Sequence, residues 1–539
     1  MFVYAELHCH SAFSYLDGAS LPDELVGAAV ALGYDAVALT DHNGLSGSME
    51  FAQAAGAQGL RALHGAELDL ADGRHVTVLV EDAKGWRNLC RILTTAHAHG
   101  RDPGEPPPMT SLETLEAHAE GLVCLSGCAD HGVHDEPTLQ RLRDAFGSER
   151  LRVELQRPFQ RHDRARNRAL AALARRLGLP TVATGNVHAH ARSRAPLQDA
   201  FVALRTRTTL DASEPLRRGN SAHVLASPAA MAARFEDHSD AVAETAALAE
   251  RLRFDLTQDL GYRYPGSDDP EADRNLAELC AHRFEERYPP GHPHRNDGRA
   301  RLEEELRVIA ALDLAGFFLL HRELLELARE VAVEVRGPSS ARALLPPGRG
   351  RGSSVSSIVC YLSGLSHIDP VENHLFLGRF LNEELTALPD IDLDFPRDIR
   401  EVLIPRVHER YGREHSALVA AFPTFRSRGA IRELGKVLGL PAGELERVAR
   451  GAEPWGIRGV TQDVESALGL EAGGGPAQFA DPDSRAPSGL SAEEWMAMVN
   501  GRDPAKVTTR NGDEARRARL PGRWAWLARL CPPTKSVGY

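Results

Sequence analysis

"LHCHSAFSYLDG", residues 7–18, sets two histidines and an aspartate at the end of an apolar run. An apolar lead-in ends in His8-Cys9-His10, and Asp17 follows after a turn of small residues. Side chains two apart in extended chain point to one side, so His8 and His10 face the same space. Outward from this stretch, the first 260 residues alternate short apolar runs with helical patterns. The runs 2–7, 36–39, 61–67, 75–80, 122–125, 151–155 and 181–183 are strand candidates. "LPDELVGAAVALG" (21–33) has an acidic first turn and a glycine stop. "RHDRARNRALAALARRLGLP" (161–180) puts Leu170, Leu173 and Leu177 on one face before Gly178 and Pro180. Repeated strand–helix units predict an α/β fold, a parallel sheet or a closed barrel, with its chemistry where strands end and loops begin.

Metal-ligand residue types recur at those ends. Asp41 and His42 follow the second strand in "TDH", Glu67 ends the third, and His75 opens the fourth. Cys128 follows the fifth in "SGC", and Asn186 and His188 follow the seventh. A single histidine at a strand end more often caps or fills a core. A succession of imidazoles and carboxylates at one rim instead points to Zn²⁺, Mn²⁺ or Fe²⁺, with Zn²⁺ or Mn²⁺ preferred, and to metal-assisted phosphoester hydrolysis. His97, His99, His118, His131, His134 and His190 fit no strand end and read as surface residues.

A chain of 539 residues is too long for one core, so about three domains are expected. Apolar content of 42% and charged content of 26% are those of a globular protein. No apolar run approaches the roughly 18 residues of a membrane span, and the N-terminus lacks a signal-peptide pattern. The seven cysteines are scattered without a CxxC pair, which fits a reducing cytoplasm. The net charge of −12 is the wrong sign for a simple nucleic-acid coat, but arginine concentrates in 348–436 and after 501.

Residues 261–297, rich in proline, glycine and charge, read as a linker around a short helix, and 298–333 as one amphipathic helix. Beyond them lies "LPDIDLDFP" (388–396), in which Asp390, Asp392 and Asp394 alternate with Ile391 and Leu393. Neighbouring acids on one strand face sit roughly 7 Å apart, which costs about 2 kcal/mol per pair at an effective dielectric near 20. Mg²⁺ would offset that repulsion, whereas an exposed edge strand would dilute it in solvent. Upstream, "GRGRGSSVSSIVCYLSG" (348–364) is a glycine-rich loop running into a helix, suited to phosphate. Downstream, Arg428, Arg432 and Lys436 share a helix face, suited to tracking phosphates or to lying solvated. Residues 470–492 read as a flexible loop.

"LHCHSAFSYLDG", "ALTDHNGLSG", "HGAEL" and "ATGNVHAH" resemble the PHP (polymerase and histidinol phosphatase) domain, a distorted (β/α)7 barrel. The resemblance implies the metal ligands His8, His10, Asp17, His42, Glu67, His75, Cys128 and His188. Asn186 stands where full sets carry Asp, which implies one weakened metal site. The run 348–396, continued by "RYGREHSALVAAFPTFRSRGAIRELGKVLG", resembles the bacterial C-family DNA polymerases, the type of the DNA polymerase III alpha subunit, in their error-prone branch. That resemblance implies a PHP domain over 1–260, a linker over 261–297, a partial α+β palm over 298–423 and a mostly helical, incomplete thumb over 424–539. It implies Asp390 and Asp392 as the catalytic Mg²⁺ ligands. Gly352, Ser353 and Arg379 would bind nucleotide, and Arg428, Arg432 and Lys436 would bind DNA. The expected activity is error-prone DNA-directed DNA synthesis on a primer–template with dNTPs, in translesion synthesis and repair. A segment like the family's "VKFDLLGL", which carries the third palm carboxylate, has no match in the sequence. The expectation is therefore a polypeptide inactive alone: the product of a split or frameshifted gene, a truncated product, or a fragment completed by a second polypeptide that supplies the palm strand and fingers. The alternatives are a metal-dependent phosphoesterase or 3′–5′ exonuclease, and a non-catalytic DNA-binding remnant.

Overall fold

The computed structural model describes residues 4–98, 107–261, 263–338, 348–382, 389–412, 414–419 and 425–452, with the single positions Arg523, Leu527 and Leu530. The expected flexible loop at 470–492, His99 and most of the expected thumb lie outside the described residues. The chain forms two compact units, residues 1–261 with 423–539, and residues 262–422.

The first unit is built on a six-stranded sheet in chain order: β1 (Ala36–Leu39), β2 (Arg61–Asp69), β3 (His75–Val80), β4 (Leu122–Leu125), β5 (Leu151–Gln156) and β6 (Thr181–Thr184). β1–β2, β4–β5 and β5–β6 pair parallel, while β2–β3 and β3–β4 pair antiparallel. That antiparallel insert is the distortion of an otherwise strand–helix repeat. The expected first strand, 2–7, takes a different form: its described part makes isolated parallel bridges instead of a ladder. Glu6 bridges to Val37 and Cys9 to Val187, so this segment lies between β1 and the chain leaving β6 and occupies the seventh stave. Glu6 secures it, because its buried carboxylate accepts from Gly185 N at 3.0 Å, Tyr4 Oη at 2.7 Å and His8 N at 3.1 Å.

Strand alternation divides the core. Ala36, Ala38, Leu63, Leu79, Val123, Leu125 and Val182 pack with Leu248, Ala249 and Leu252 of the helix Ser239–Arg251 and its end. The opposite phase, with Val37, Leu39, Val78, Cys124, Val153 and Ala183, lies under the flanking helices. On the first phase the strands change character: Glu67, Thr77, Glu154, Gln156 and Thr184 follow the apolar positions and are all buried. This polar end of an apolar face positions the site. Both helices read from sequence form as expected, Pro22–Leu32 before Gly33 (φ 79°) and Asp163–Leu177 before Gly178 (φ 65°). Later in the chain, Ser427–Val437 and Ala442–Gly451 pack Ile431, Leu434, Leu445 and Val448 with Ala200 and Ala203 of the helix Ala195–Arg205. These two helices of the expected thumb thus share a core with the first unit.

In the second unit the expected linker is corrected. Residues 272–287 form a 16-residue helix, Ala272–Arg287, with Leu276, Cys280, Phe284 and Tyr288 in the unit's core. Those residues recur every fourth position, an apolar stripe hidden among charges. The single helix expected over 298–333 is two helices, Arg295–Ala311 and Ala315–Arg336, separated where Asp313 takes a left-handed φ of 55°. The acidic segment forms β8 (Asp392–Asp394), paired antiparallel with β7 (Arg349–Arg351) in a two-stranded sheet. It is not a core strand: Asp390, Asp392 and Asp394 are exposed. Among the described residues no helix is long and apolar enough to cross a membrane.

Gly65 is where β2 passes from its parallel partner β1 to its antiparallel partner β3. A Cβ there would meet Val78 O at 2.2 Å, a backbone atom with no room to yield. Gly65→Ala is expected to cost about 1–3 kcal/mol and lower the melting temperature of the full chain by several degrees. An unchanged melt would show that this switch of partners is not tightly packed.

Candidate metal centre

Glu67 is the centre of the polar cluster. It is buried on β2, and its two oxygens face different imidazoles. Oε2 lies 2.5 Å from His8 Nε2 and 3.7 Å from His10 Nε2; Oε1 lies 3.1 Å from His42 Nε2 and 3.2 Å from His75 Nδ1. This is the disposition of a bridging carboxylate between two cation positions. His8 is oriented from behind by Glu154, whose Oε1 lies 2.7 Å from Nδ1 and also accepts from Gln156 Nε2 at 2.7 Å. A carboxylate behind a histidine fixes its ring and raises its basicity as a ligand. His75 Nε2 is 2.8 Å from Cys128 Sγ.

The remaining sequence-expected ligands form a second corner. His10 stacks on His42 at 4.8 Å and on His188 at 4.3 Å. Asp17 Oδ2 lies 2.9 Å from His188 Nε2 and 3.5 Å from His42 Nε2. All eight residues therefore gather in one cluster. Ligand atoms of His8, His10 and Glu67, and likewise of His10, His42 and His188, converge within 4.8 Å of one another. Imidazole, carboxylate and thiol donors of this kind fit Zn²⁺ or Mn²⁺.

Asp41 and Asn186 do otherwise. Asp41 accepts from Ser11 N at 2.6 Å and from the Ser11 and Ser14 hydroxyls at 2.7 Å, and so clamps the 11–18 turn. Asn186 (φ 47°) offers its backbone oxygen to His188 Nδ1 and His223 Nδ1, both at 3.0 Å. His134 is half-buried with a buried Nε2, and His190 is half-buried beside Ser20 Oγ at 2.8 Å, so neither is a plain surface residue. Sequence reading missed Glu154, Gln156, Arg218 and His223. "LRVELQ" did carry a signal, because polar residues at every second position of a buried strand have to face a polar interior.

The electrostatics follow from this packing. Burial opposes charge on His8, but Glu154 and Glu67 outweigh it and push the imidazole up to about 10. Burial likewise opposes His42, which Glu67 and Asp17 raise to about 9. Burial and the nearby Arg218 push His188 down to about 4, so it is neutral, with Nδ1–H donated to Asn186 O. Burial pushes the Cys128 thiol up.

In the second unit, the β7–β8 register places Arg351 opposite Asp392 and Arg349 opposite Asp394. The glycine-rich loop and the acidic strand are thus brought side by side. Arg351 Nη1 lies 3.1 Å from Asp394 Oδ2, which offsets the acid repulsion with a cross-strand cation. A Cβ on Gly352 would lie 3.7 Å from Asp392 Oδ2. Ser353 is exposed in the 3₁₀ turn Gly352–Ser356 that precedes the helix Ile358–Ser363. Arg379 lies in the 3₁₀ turn Leu377–Arg379. Asp390 and Asp392 are open to a divalent ion, which two carboxylates would hold in part. In the first unit, the basic helix face is internally paired. Arg428 Nε donates to Ala452 O at 3.0 Å, Arg432 pairs with Glu446 at 2.9 Å and Lys436 with Glu433 at 2.7 Å.

In the metal-free chain, protonated His8 and His42 contribute their full stabilisation below about pH 6.5, the unfolded value. That contribution is lost as pH rises through about 9 and about 10. Divalent ions have to displace the same protons. Affinity for Mn²⁺ is therefore expected to rise with pH towards 9, with proton release measurable by calorimetry in buffers of different ionisation enthalpy. A pH-independent affinity would contradict the imidazole ligation.

The PHP domain family model matches residues 6–158, and the bacterial DNA polymerase III alpha NTPase domain model matches 274–471. The chain is 37% identical over 487 residues to an error-prone DNA polymerase of Mycolicibacterium paratuberculosis, covering 86% of this chain and 43% of that protein. It is 34% identical over 477 residues to the error-prone DNA polymerase of Symbiobacterium thermophilum, covering 84% and 42%. Among solved structures, an amidohydrolase from Chromobacterium violaceum aligns with 20% identity and a TM-score of 0.25 over 35% of this chain and 88% of its own, an overlap too slight to assign any function. The chain thus spans under half the length of the curated relatives it matches. The PHP match over 6–158 and the DNA polymerase III alpha match over 274–471, with relatives 34–37% identical over most of this chain, place the chain in the bacterial C-family of DNA polymerases, the family of the DNA polymerase III alpha subunit.

Proposed function

We propose that this chain is the PHP and palm portion of an error-prone DNA polymerase. It would work in the cytoplasm, in translesion synthesis and DNA repair, on a DNA primer–template and deoxynucleoside triphosphates. The observation that carries the palm reading is the β7–β8 register, which sets a phosphate-type glycine loop against the strand bearing Asp392 and Asp394, with Asp390 just before it. Asp390 and Asp392 would hold Mg²⁺, which supplies charge neutralisation for nucleotidyl transfer. Gly352 leaves room for a close approach of phosphate, and Ser353 and Arg379 would donate to the triphosphate. Arg428, Arg432 and Lys436 would track the DNA backbone by exchanging their glutamate and backbone partners for phosphates. In this reading a further palm carboxylate and the fingers would be supplied by a second polypeptide. Mg²⁺-dependent binding of a dNTP to the full chain is expected, lost in Asp392→Asn and kept in His8→Ala, with no primer extension by the chain alone. Binding that survives Asp392→Asn contradicts the palm reading, and extension by the chain alone contradicts the need for a second polypeptide.

The Glu67 geometry favours a second reading for the first unit, metal-dependent phosphoester hydrolysis of the 3′–5′ exonuclease type. Zn²⁺ or Mn²⁺ held by His8, His10, Glu67, His42, His75 and Cys128 would supply Lewis-acid chemistry at a phosphate. Mn²⁺-dependent release of nucleotides from single-stranded DNA is expected to fall at least tenfold in His8→Ala and to persist in Asp390→Asn. Equal loss in both variants would place the hydrolysis elsewhere.

A further inference from the structure

Arg218 enters the metal cluster from the 217–223 segment, and its position matches that of a cation. Its Nη2 lies 3.2 Å from each oxygen of Asp17 and 2.7 Å from His188 Nε2. His188 donates Nδ1–H to Asn186 O at 3.0 Å, and the guanidinium, which can only donate, stands 2.7 Å from Nε2, so Nε2 presents its lone pair there. That lone pair and the Asp17 carboxylate stand 2.9 Å apart. Two electron-rich groups at that distance need a positive charge between or beside them, and Asp17 and His188 are both almost fully buried, so water does not supply it. Arg218 does. Arg205 Nη1 lies 3.7 Å from Asp17 Oδ1, and Arg218 Nη1 lies 3.5 Å from His223 Nδ1. Asn186, two residues before His188, is a neutral amide rather than a carboxylate, and its Oδ1 is buried without a hydrogen-bond partner.

We propose that the guanidinium of Arg218 is a built-in cation that takes the Asp17–His188 corner of the cluster, so that divalent ions bind only on the Glu67 side. This rests on the metal reading of the Glu67 cluster and refines it. A planar guanidinium bridges carboxylate and imidazole without any metal, and its fixed charge repels a divalent ion from the His10–His42–His188 group. The corner then stays assembled when metal is scarce, and it keeps a permanent positive charge at the edge of the site, where a phosphate anion would be received.

The test counts Mn²⁺ bound to the full chain after equilibrium dialysis, by elemental analysis. Arg218→Met, which removes the charge, is expected to bind one more Mn²⁺ per chain than wild type, and Arg218→Lys, which keeps it, the same number as wild type. No gain in a folded Arg218→Met overturns the proposal, as does a gain in Arg218→Lys equal to that in Arg218→Met. Thermal melts in chelator and in Mn²⁺ keep the test decisive if Arg218→Met folds poorly without metal. Mn²⁺ is expected to raise the melting temperature of Arg218→Met more than that of wild type, and equal shifts overturn the proposal. Absence of Mn²⁺ from wild type would instead tell against the Glu67 centre, while the difference between wild type and Arg218→Met still decides the role of Arg218.

Discussion

The buried carboxylate of Glu67, with imidazoles on both of its oxygens, is the constraint on which the first unit depends. A carboxylate taken out of water costs several kcal/mol unless it is paired, and an unpaired one would neutralise itself by binding a proton. Here four histidines surround it, drawn from the N-terminal segment, the end of β1 and the start of β3. Burial alone would leave such imidazoles neutral. His8 and His42 stay charged only because carboxylates stand against them. The cluster is therefore held together by opposite charges that a divalent ion can replace. The barrel exists to converge these groups: the N-terminal segment has to close against both β1 and the chain leaving β6 for His8 and His10 to reach Glu67.

The second unit meets a charge problem of the opposite sign by another route. Asp392 and Asp394 on the short strand β8, with Asp390 just before it, repel one another, and the structure answers with exposure and with Arg351 on the paired strand. Exposure keeps the cost small, which leaves Asp390 and Asp392 available to ligands. The first unit hides its charges and has to neutralise them internally, whereas the second displays them.

Much of this was legible in the sequence because it is local. Strand bounds at 36–39, 75–80 and 122–125 coincide with β1, β3 and β4, since short apolar runs between turn residues have one reading. The eight ligand-type residues were legible because a parallel α/β arrangement brings strand ends to one rim. Residues that act through long-range placement were not legible. Arg218 and His223 sit in a segment with no periodic pattern, and only the fold brings Arg218 to Asp17. Glu154 carried a signal in the alternation of Arg152, Glu154 and Gln156, but nothing local says which histidine it stands behind. The helix Ala272–Arg287 was masked because glycine- and proline-rich flanks and many charges outweighed a narrow stripe at Leu276, Cys280, Phe284 and Tyr288. The seventh stave was read as a ladder strand but is held by isolated bridges and by Glu6, a side-chain interaction that no pattern encodes.

The most direct measurement is anomalous diffraction from crystals of the full chain grown with Mn²⁺. Anomalous peaks are expected at coordination distance from both Glu67 oxygens, one on the His8–His10 side and one on the His42–His75 side. Crystals whose density shows the four imidazoles in place around Glu67, with no anomalous peak at either oxygen, would contradict it.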